Sequence, residues 1–390
     1  MFYPIVPFIL PSKVITGIDT VKYALVDQVK AFLPDGGPIL LVTDEVIKKT
    51  GLADTVIKYL TDAGFSVAVY TDVEPEPSVE NLEKGVEYVK KNNFSLVIGL
   101  GGGSVMDVSK AMAVLPFNEG PILDYLGSHL IKKPGIPTFQ LPTTSGTGSE
   151  ITINSVFKHK AMKLKKVLVS HYTMPAVAIV DPVLTLSVPP GATAASGVDA
   201  LTHAIEAYVA QKATPQTDIY AADAIKRISR HLRRAVARGD DINARYEMSL
   251  GSLFGGIANG VASVGAVHAL SYPLGGEFNL PHGVSNALML PYVMEKIIVG
   301  NTKKFAEIAE FMGENICGLP EYAAADKAID AVKRLCKDVG IPAHLRDFNI
   351  PKEVIPVWAK LAIETQDRLL SNTPKKLTEK DIAEIYTAAW

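Results

Sequence analysis

Cysteine is scarce: Cys317 and Cys336 are the only two in 390 residues. They lie in a helical stretch bearing Lys and Glu, which suits a reducing compartment rather than a disulfide framework, so the chain reads as cytoplasmic. Net charge is equally scarce. With 39 Lys plus Arg against 41 Asp plus Glu, the net of -2 supplies no broad basic field for nucleic acid or anionic lipid. The longest uncharged stretch, Met248 to Gly276, exceeds the ~20 residues a membrane helix needs. Asn259, His268, Ser271 and Pro273 interrupt it and no basic cluster flanks it, so a buried helix pair is expected instead. The apolar start, Met1 to Leu10, lacks a basic leader and carries Pro4 and Pro7, so it reads as an extended edge segment and not a signal peptide. Internal repeats and low-complexity tracts are missing too.

What is present is ample apolar material: 48% hydrophobic residues against 21% charged, enough for a large core spread over two or three domains. Continuous apolar runs at 38–43, 66–70, 95–100, 138–141 and 177–180 read as strands buried on both faces. Helical spacing separates them at 53–63, 79–91 and 105–114. Such alternation predicts an α/β domain with a mostly parallel sheet over residues 1–190. After Asp181 the strand-like runs vanish, Pro182, Pro189 and Pro190 punctuate the chain, and residues 191–390 read as an all-α domain.

Two loops follow strands of this sheet. Gly99-Leu100-Gly101-Gly102-Gly103-Ser104 opens a helical pattern, where glycines let a diphosphate approach the backbone and free amides face the anion. A turn that serves packing alone is the alternative reading. Asp107 fits either a first-turn residue favoured by the helix dipole or a cofactor contact. The second loop, Pro142-Thr143-Thr144-Ser145-Gly146-Thr147-Gly148-Ser149-Glu150, offers hydroxyls suited to phosphate and sugar. Asp44 ends the first clear strand. Its carboxylate would accept from ribose hydroxyls and repel a 2′-phosphate, favouring NAD over NADP, or it caps the following helix.

Asp199 and His203 stand four apart on one helix face, and His268 and His282 lie in apolar surroundings expected to be buried. One carboxylate and three imidazoles make a complete divalent-metal set, although Asp at i and His at i+4 is also a common helix ion pair. His129, His159, His171, His231 and His344 sit near basic or turn residues and read as solvated.

GGGSVMDVSK, PTTSGTGSE, GVDALTHAIEAY, AVHALSYPLGG, LPHGVSNALMLPYV and the closing IYTAAW together resemble the iron-dependent (group III) alcohol dehydrogenases over nearly the whole chain. Within that family they are most similar to the branch of lactaldehyde reductases, propanediol dehydrogenases and methanol dehydrogenases. The resemblance implies the dehydroquinate synthase-like fold, with Asp199, His203, His268 and His282 holding Fe2+. It implies Gly101, Gly102, Gly103 and Ser104 at the diphosphate, Thr143, Thr144 and Thr147 along the nicotinamide side, and Asp44 at the ribose. Lys165 or, by preference, Lys166 would lie near the nicotinamide ribose, and Asn154 on the substrate side. Relatives often carry a second histidine four residues after the third ligand; here Tyr272 stands there, a catalytic candidate whose hydroxyl would take part in a proton relay. A phenol is nonetheless a poorer base than imidazole at neutral pH, and a water chain or a ribose hydroxyl is the alternative route.

The implied reaction is hydride transfer between NAD(H) and a small alcohol or aldehyde, the metal polarising the substrate oxygen, in a cleft between the domains. Zinc satisfies the same ligand chemistry as iron. A metal- and NAD-dependent lyase of the dehydroquinate synthase type is the alternative, though no Lys or Arg cluster for a phosphate-bearing substrate stands beside the ligand set. A nucleotide-binding sensor without catalysis is a second. A homodimer or higher homo-oligomer is the expected assembly.

Overall fold

The computed structural model describes residues 6–161 and 164–390. It divides into two compact units, Leu10–Val188 and Pro189–Trp390, the latter taking in Val6 to Ile9 as well.

In the first unit the apolar runs form a parallel six-stranded sheet. Its members in chain order are β1 (Lys13–Thr16), β2 (Ile39–Val42), β3 (Val67–Tyr70), β4 (Leu96–Gly101), β5 (Thr138–Pro142) and, after a separate hairpin, β8 (Val177–Val180). The hairpin is β6 (Asn154–His159) against β7 (Leu164–Val169), antiparallel. Across the sheet the order is β1-β8-β5-β4-β2-β3. Both faces are covered, which is why Ile39 to Val42 are apolar without alternation. Ile39 and Leu41 pack with Leu25 of α1 (Thr20–Phe32) and, past the short α2 (Glu45–Lys49), with Val56 and Leu60 of α3 (Leu52–Asp62). Leu40 and Val42 pack with Leu82 and Val86 of α4 (Val79–Lys90) and Val108 of α5 (Gly103–Val114).

The five expected strands are present. Two features differ from expectation. The sheet edge is Lys13–Thr16, whose residues are largely exposed and carry no apolar run. Residues 1–5 of the expected edge segment lie outside the described residues, and Val6 to Leu10 form no strand, Pro7 lacking the N–H a ladder needs. The β6–β7 hairpin was also not anticipated, because its lysines break the apolar pattern.

From β2 the chain proceeds outward to β3, whereas from β4 it continues through β5 and β8 toward the opposite edge. Direction therefore reverses between β2 and β4, the place where open α/β sheets bind ligands beyond the strand carboxyl ends. Asp44 follows β2 there, and Gly102 follows β4.

The second unit contains no strand among the described residues. Its helices are α6 (Pro190–Val209), α7 (Pro215–Ala237), α8 (Ile242–Ala262), α9 (Ala266–Phe278), α10 (His282–Ile297), α11 (Thr302–Phe311), α12 (Glu321–Asp338), α13 (Ile355–Thr365), α14 (Asp367–Leu370) and α15 (Glu379–Ala389). The long uncharged stretch falls on α8 and α9, which meet at 104° across Ser263, and among the described residues no single helix is long and apolar enough to cross a membrane. Every residue of α6 from Gly197 to Val209 is buried. Small residues permit this: a Cβ on Gly255 of α8 would lie 3.1 Å from the Ala200 carbonyl, and one on Gly283 of α10 would lie 2.7 Å from that of Ala195.

Candidate active site

The helical unit gathers the metal-type residues on three helices. Asp199 and His203 project one turn apart from α6, His268 lies in the first turn of α9, and His282 is the first residue of α10. Ligand atoms of Asp199, His268 and His282 lie within 4.8 Å of one another. His203 joins them through His268, Nε2 to Nε2 at 3.1 Å. Bonds of roughly 2.0 to 2.2 Å to a shared ion set ligand atoms about 3 to 4 Å apart, so this donor set fits a divalent cation. Asp199, His203 and His268 are buried, at 2%, 6% and 3% exposure. His282 differs from expectation: beginning α10, it is only half-buried. His129, His159, His171, His231 and His344 are exposed or half-buried.

Two residues that sequence reasoning did not single out complete the arrangement. Glu206, three positions after His203 on the same face of α6, is 2.6 Å from His268 Nδ1. That contact makes Nδ1 the protonated nitrogen and leaves the Nε2 lone pair facing Asp199 and His203. Asn286 donates to Asp199 Oδ1 at 2.7 Å, and its Nδ2 lies 3.0 Å from His268 Nε2 and 3.2 Å from His282 Nε2. Its spacing of four from His282 is the signal that could have found it. Burial alone would raise the Asp199 carboxyl; the three imidazoles and the Asn286 amide outweigh this and hold it below the ordinary carboxylate range. Tyr272 lies four residues after His268, its ring 6.3 Å from that of His282. Burial pushes its hydroxyl above the ordinary phenol value.

In the α/β unit, Gly101 pairs with Pro142 across β4 and β5, so the two loops leave the sheet side by side. Thr143 donates its N–H to Gly101 O at 3.0 Å. The glycines give the hydroxyl loop room: a Cβ on Gly103 would fall 2.5 Å from Thr147 Cγ2, and one on Gly102 would lie 3.5 Å from Thr144 Oγ1. No side chain caps the N-terminus of α5. Its first amides therefore remain for an anion, and the buried Thr143 Oγ1 has no hydrogen-bond partner among the described residues. Both observations fit a dinucleotide at these loops. Ser104 instead turns its hydroxyl to the Pro75 carbonyl.

Asp44 caps α2, accepting from the Ile47 N–H at 2.8 Å. Asp107 faces inward, accepting from Ser149 Oγ at 2.5 Å and from the Val156 N–H at 2.8 Å. Asn154 begins β6 and its carbonyl accepts from Lys110 Nζ. Lys166, half-buried on β7, stands opposite Phe157, while its neighbour Lys165 pairs with Glu76 at 3.3 Å.

Comparison with known proteins decides the family. The iron-containing alcohol dehydrogenase model matches residues 11–182, and the C-terminal model of the Fe-containing alcohol dehydrogenase family matches residues 193–390. The chain belongs to the iron-containing alcohol dehydrogenase family. It is 48% identical over 356 residues to long-chain-alcohol dehydrogenase 1 of Geobacillus thermodenitrificans (strain NG80-2), covering 90% of this chain and 89% of that one. It is 40% identical over 350 residues to the NAD-dependent methanol dehydrogenase of Bacillus methanolicus, covering 90% and 91%. A crystal structure of 1,3-propanediol oxidoreductase superposes with a TM-score of 0.95 at 38% identity, covering 99% of this chain and 100% of that one. The protein is thus an oxidoreductase, an alcohol dehydrogenase, and the lyase alternative is set aside.

Proposed function

We propose that this alcohol dehydrogenase holds a ferrous ion on Asp199, His203, His268 and His282, takes NAD(H) on the two loops beyond β4 and β5, and interconverts small primary alcohols or short diols with their aldehydes. The observation that carries the reading is the convergence of one carboxylate and three imidazoles from α6, α9 and α10. When bound, the ion supplies Lewis acidity toward an alcohol or carbonyl oxygen and the nicotinamide gives or takes hydride.

The remaining work belongs to the protein. Asp199 contributes the single negative charge of the ligand set, so a dication keeps net positive charge for a substrate oxygen. Glu206 holds the His268 proton on Nδ1, which keeps Nε2 available as a ligand. Gly101 to Gly103 bring backbone amides to the diphosphate; Thr144 and Thr147 line the same loop pair, and the Thr143 hydroxyl, buried and without a partner among the described residues, begins that loop. Asp44, beyond β2, repels a 2′-phosphate and selects NAD. Ser104, Lys166 and Asn154 are assigned to the diphosphate, nicotinamide ribose and substrate sides by family resemblance. Burial keeps the Tyr272 hydroxyl protonated at neutral pH, so it would serve as a hydrogen-bonding link in a proton path and not as the terminal base. Relatives of this chain are named for methanol, propanediol and long-chain alcohols, and the small end of that range is the proposal. The free thiols of Cys317 and Cys336 accord with a cytoplasmic enzyme, and a homodimer is the proposed assembly.

The test is metal analysis combined with NAD reduction by methanol, propane-1,2-diol, propane-1,3-diol and alcohols of increasing length, before and after chelation. Turnover is expected to disappear with the ion and return on adding Fe2+. His268→Ala and His282→Ala are expected to abolish turnover while leaving NAD affinity within about two-fold. Full activity in metal-free protein rules the reading out, and preference for long chains overturns the substrate assignment alone.

A further inference from the structure

Lys110 is a lysine with 0% exposure, buried three residues after Asp107 on α5. Its Nζ donates to Ser149 Oγ at 2.6 Å, Ser149 O at 3.0 Å, Thr152 O at 3.2 Å and Asn154 O at 2.5 Å, and lies 3.5 Å from Asp107 Oδ1. Asp107 in turn holds Ser149 Oγ and the Val156 N–H. One ion pair on α5 thus gathers five groups of the segment 149–156. Burying an ammonium and a carboxylate is costly unless their bonds are satisfied, and a core helix needs neither charge to pack.

The partners show what the pair accomplishes. Segment 149–156 is the far end of the hydroxyl loop; its near end is fixed by the Gly101–Pro142 pairing and the Thr143 N–H to Gly101 bond. Between these anchors Thr147 accepts from the Ser149 N–H at 3.3 Å and sits against Gly103. The helix whose first turn carries Gly103 and Ser104 therefore also clamps the far end of the loop facing them.

We propose that Lys110, with Asp107, is a positioning residue that sets Thr143, Thr144 and Thr147 against the Gly101–Ser104 turn, so that cofactor affinity depends on a buried ion pair out of reach of the cofactor. The proposal rests on the reading that these two loops bind NAD. It moves Asp107 from cofactor contact to support. A compact ammonium meets several converging carbonyls in a way that a planar guanidinium does not, so charge alone is insufficient.

The experiment compares Lys110→Met, Lys110→Arg and Ser149→Ala with the wild type in the metal-loaded enzyme. It records melting temperature, metal content, NAD affinity by calorimetry, kcat at saturating NAD, and amide hydrogen exchange over residues 143–152. Ser149→Ala keeps the lysine and its carbonyl bonds, so it decides the matter if the lysine variants do not fold. The expected result is faster exchange in 143–152 with NAD affinity weakened about 10-fold or more in the lysine variants and several-fold in Ser149→Ala, while metal content and saturated kcat stay within about two-fold. Lys110→Arg is expected not to rescue. Native exchange and native NAD affinity in the folded variants overturn the proposal, as does parallel loss of metal and kcat, which signals general destabilisation. Faster exchange together with a wild type that fails to bind NAD would leave the loop clamp standing and sink the cofactor reading instead.

Discussion

Glu206 grips both the side chain and the neighbouring backbone of His268: Oε2 lies 2.6 Å from His268 Nδ1, and Oε1 accepts from the Val267 N–H at 2.6 Å. Because α9 begins at Ala266, the Val267 amide is among those with no acceptor inside its own helix. A carboxylate from α6 thus caps α9 and fixes the tautomer of a proposed metal ligand, both within a buried site.

Glu206→Gln retains the shape but leaves one oxygen for two donors, so orientation of the imidazole is lost before its position. Metal affinity is expected to fall roughly 10- to 100-fold. Glu206→Ala should fall further and lose about 1 to 3 kcal/mol of stability from the orphaned amide. Chelator competition and denaturant midpoints measure the two effects separately; native metal affinity in Glu206→Gln would show that the carboxylate does not orient the ligand.

The parts of this site that the sequence discloses are those whose spacing is informative on one element. Asp199 and His203 are four apart on α6, and their shared face follows from helix geometry. Ile39 to Val42 announce a central strand because both faces are buried, whereas Lys13 to Thr16 hide an edge strand because only pairing with β8 makes them one. Glu206 has its partners on α9, and no local pattern reports those, whereas Asn286 is four from His282 on α10 and only its contacts to Asp199 and His268 are hidden from the sequence. Lys110 is the extreme case. A lysine three residues from an aspartate reads as a solvated helix pair, and only tertiary packing shows that four acceptors from another segment surround it.

The glycine turn offers a paired test of sterics against ligand contact. An alanine at Gly103 would drive its Cβ into Thr147, so Gly103→Ala is expected to lose about 1 to 3 kcal/mol and to weaken NAD as the loops part. An alanine at Gly102 meets Thr144 only at ordinary contact distance, so Gly102→Ala should melt like the wild type. Its NAD affinity should nonetheless drop about 10-fold, because the methyl occupies the approach of a diphosphate to the backbone. Calorimetric titration alongside thermal melts separates the two, and unchanged NAD binding by Gly102→Ala removes the diphosphate from this turn.

Asp44 has two roles that a substitution can divide. Its side chain caps α2 through the Ile47 N–H, a task serine performs as well. Asp44→Ser is therefore expected to keep stability within about 0.5 kcal/mol while losing the negative charge that excludes a 2′-phosphate. The ratio of kcat/KM for NAD over NADP should fall about 10-fold or more. A ratio left at the wild-type value, with stability preserved, would make Asp44 a helix cap and nothing else.

Glu150 gives the stability a pH dependence of predictable sign. It is 2% exposed in the turn after β5, and burial pushes its carboxyl up to about 7, opposed in part by its own backbone N–H and by Lys110. An acid whose folded-state pKa is raised binds its proton more tightly in the native chain. Its contribution to stability is then fully present below the ordinary value of 4.5, declines as the pH climbs, and is lost above about 7. Glu150→Gln stays neutral throughout. Relative to the wild type it should gain stability as the pH rises from 5 to 8, by an amount on the order of 3 kcal/mol, with most of the change complete by about pH 7. Urea midpoints of both proteins across that range measure the difference. A constant offset would mean that the carboxyl titrates elsewhere, and a difference of opposite slope would mean that Lys110 holds Glu150 ionised despite its burial.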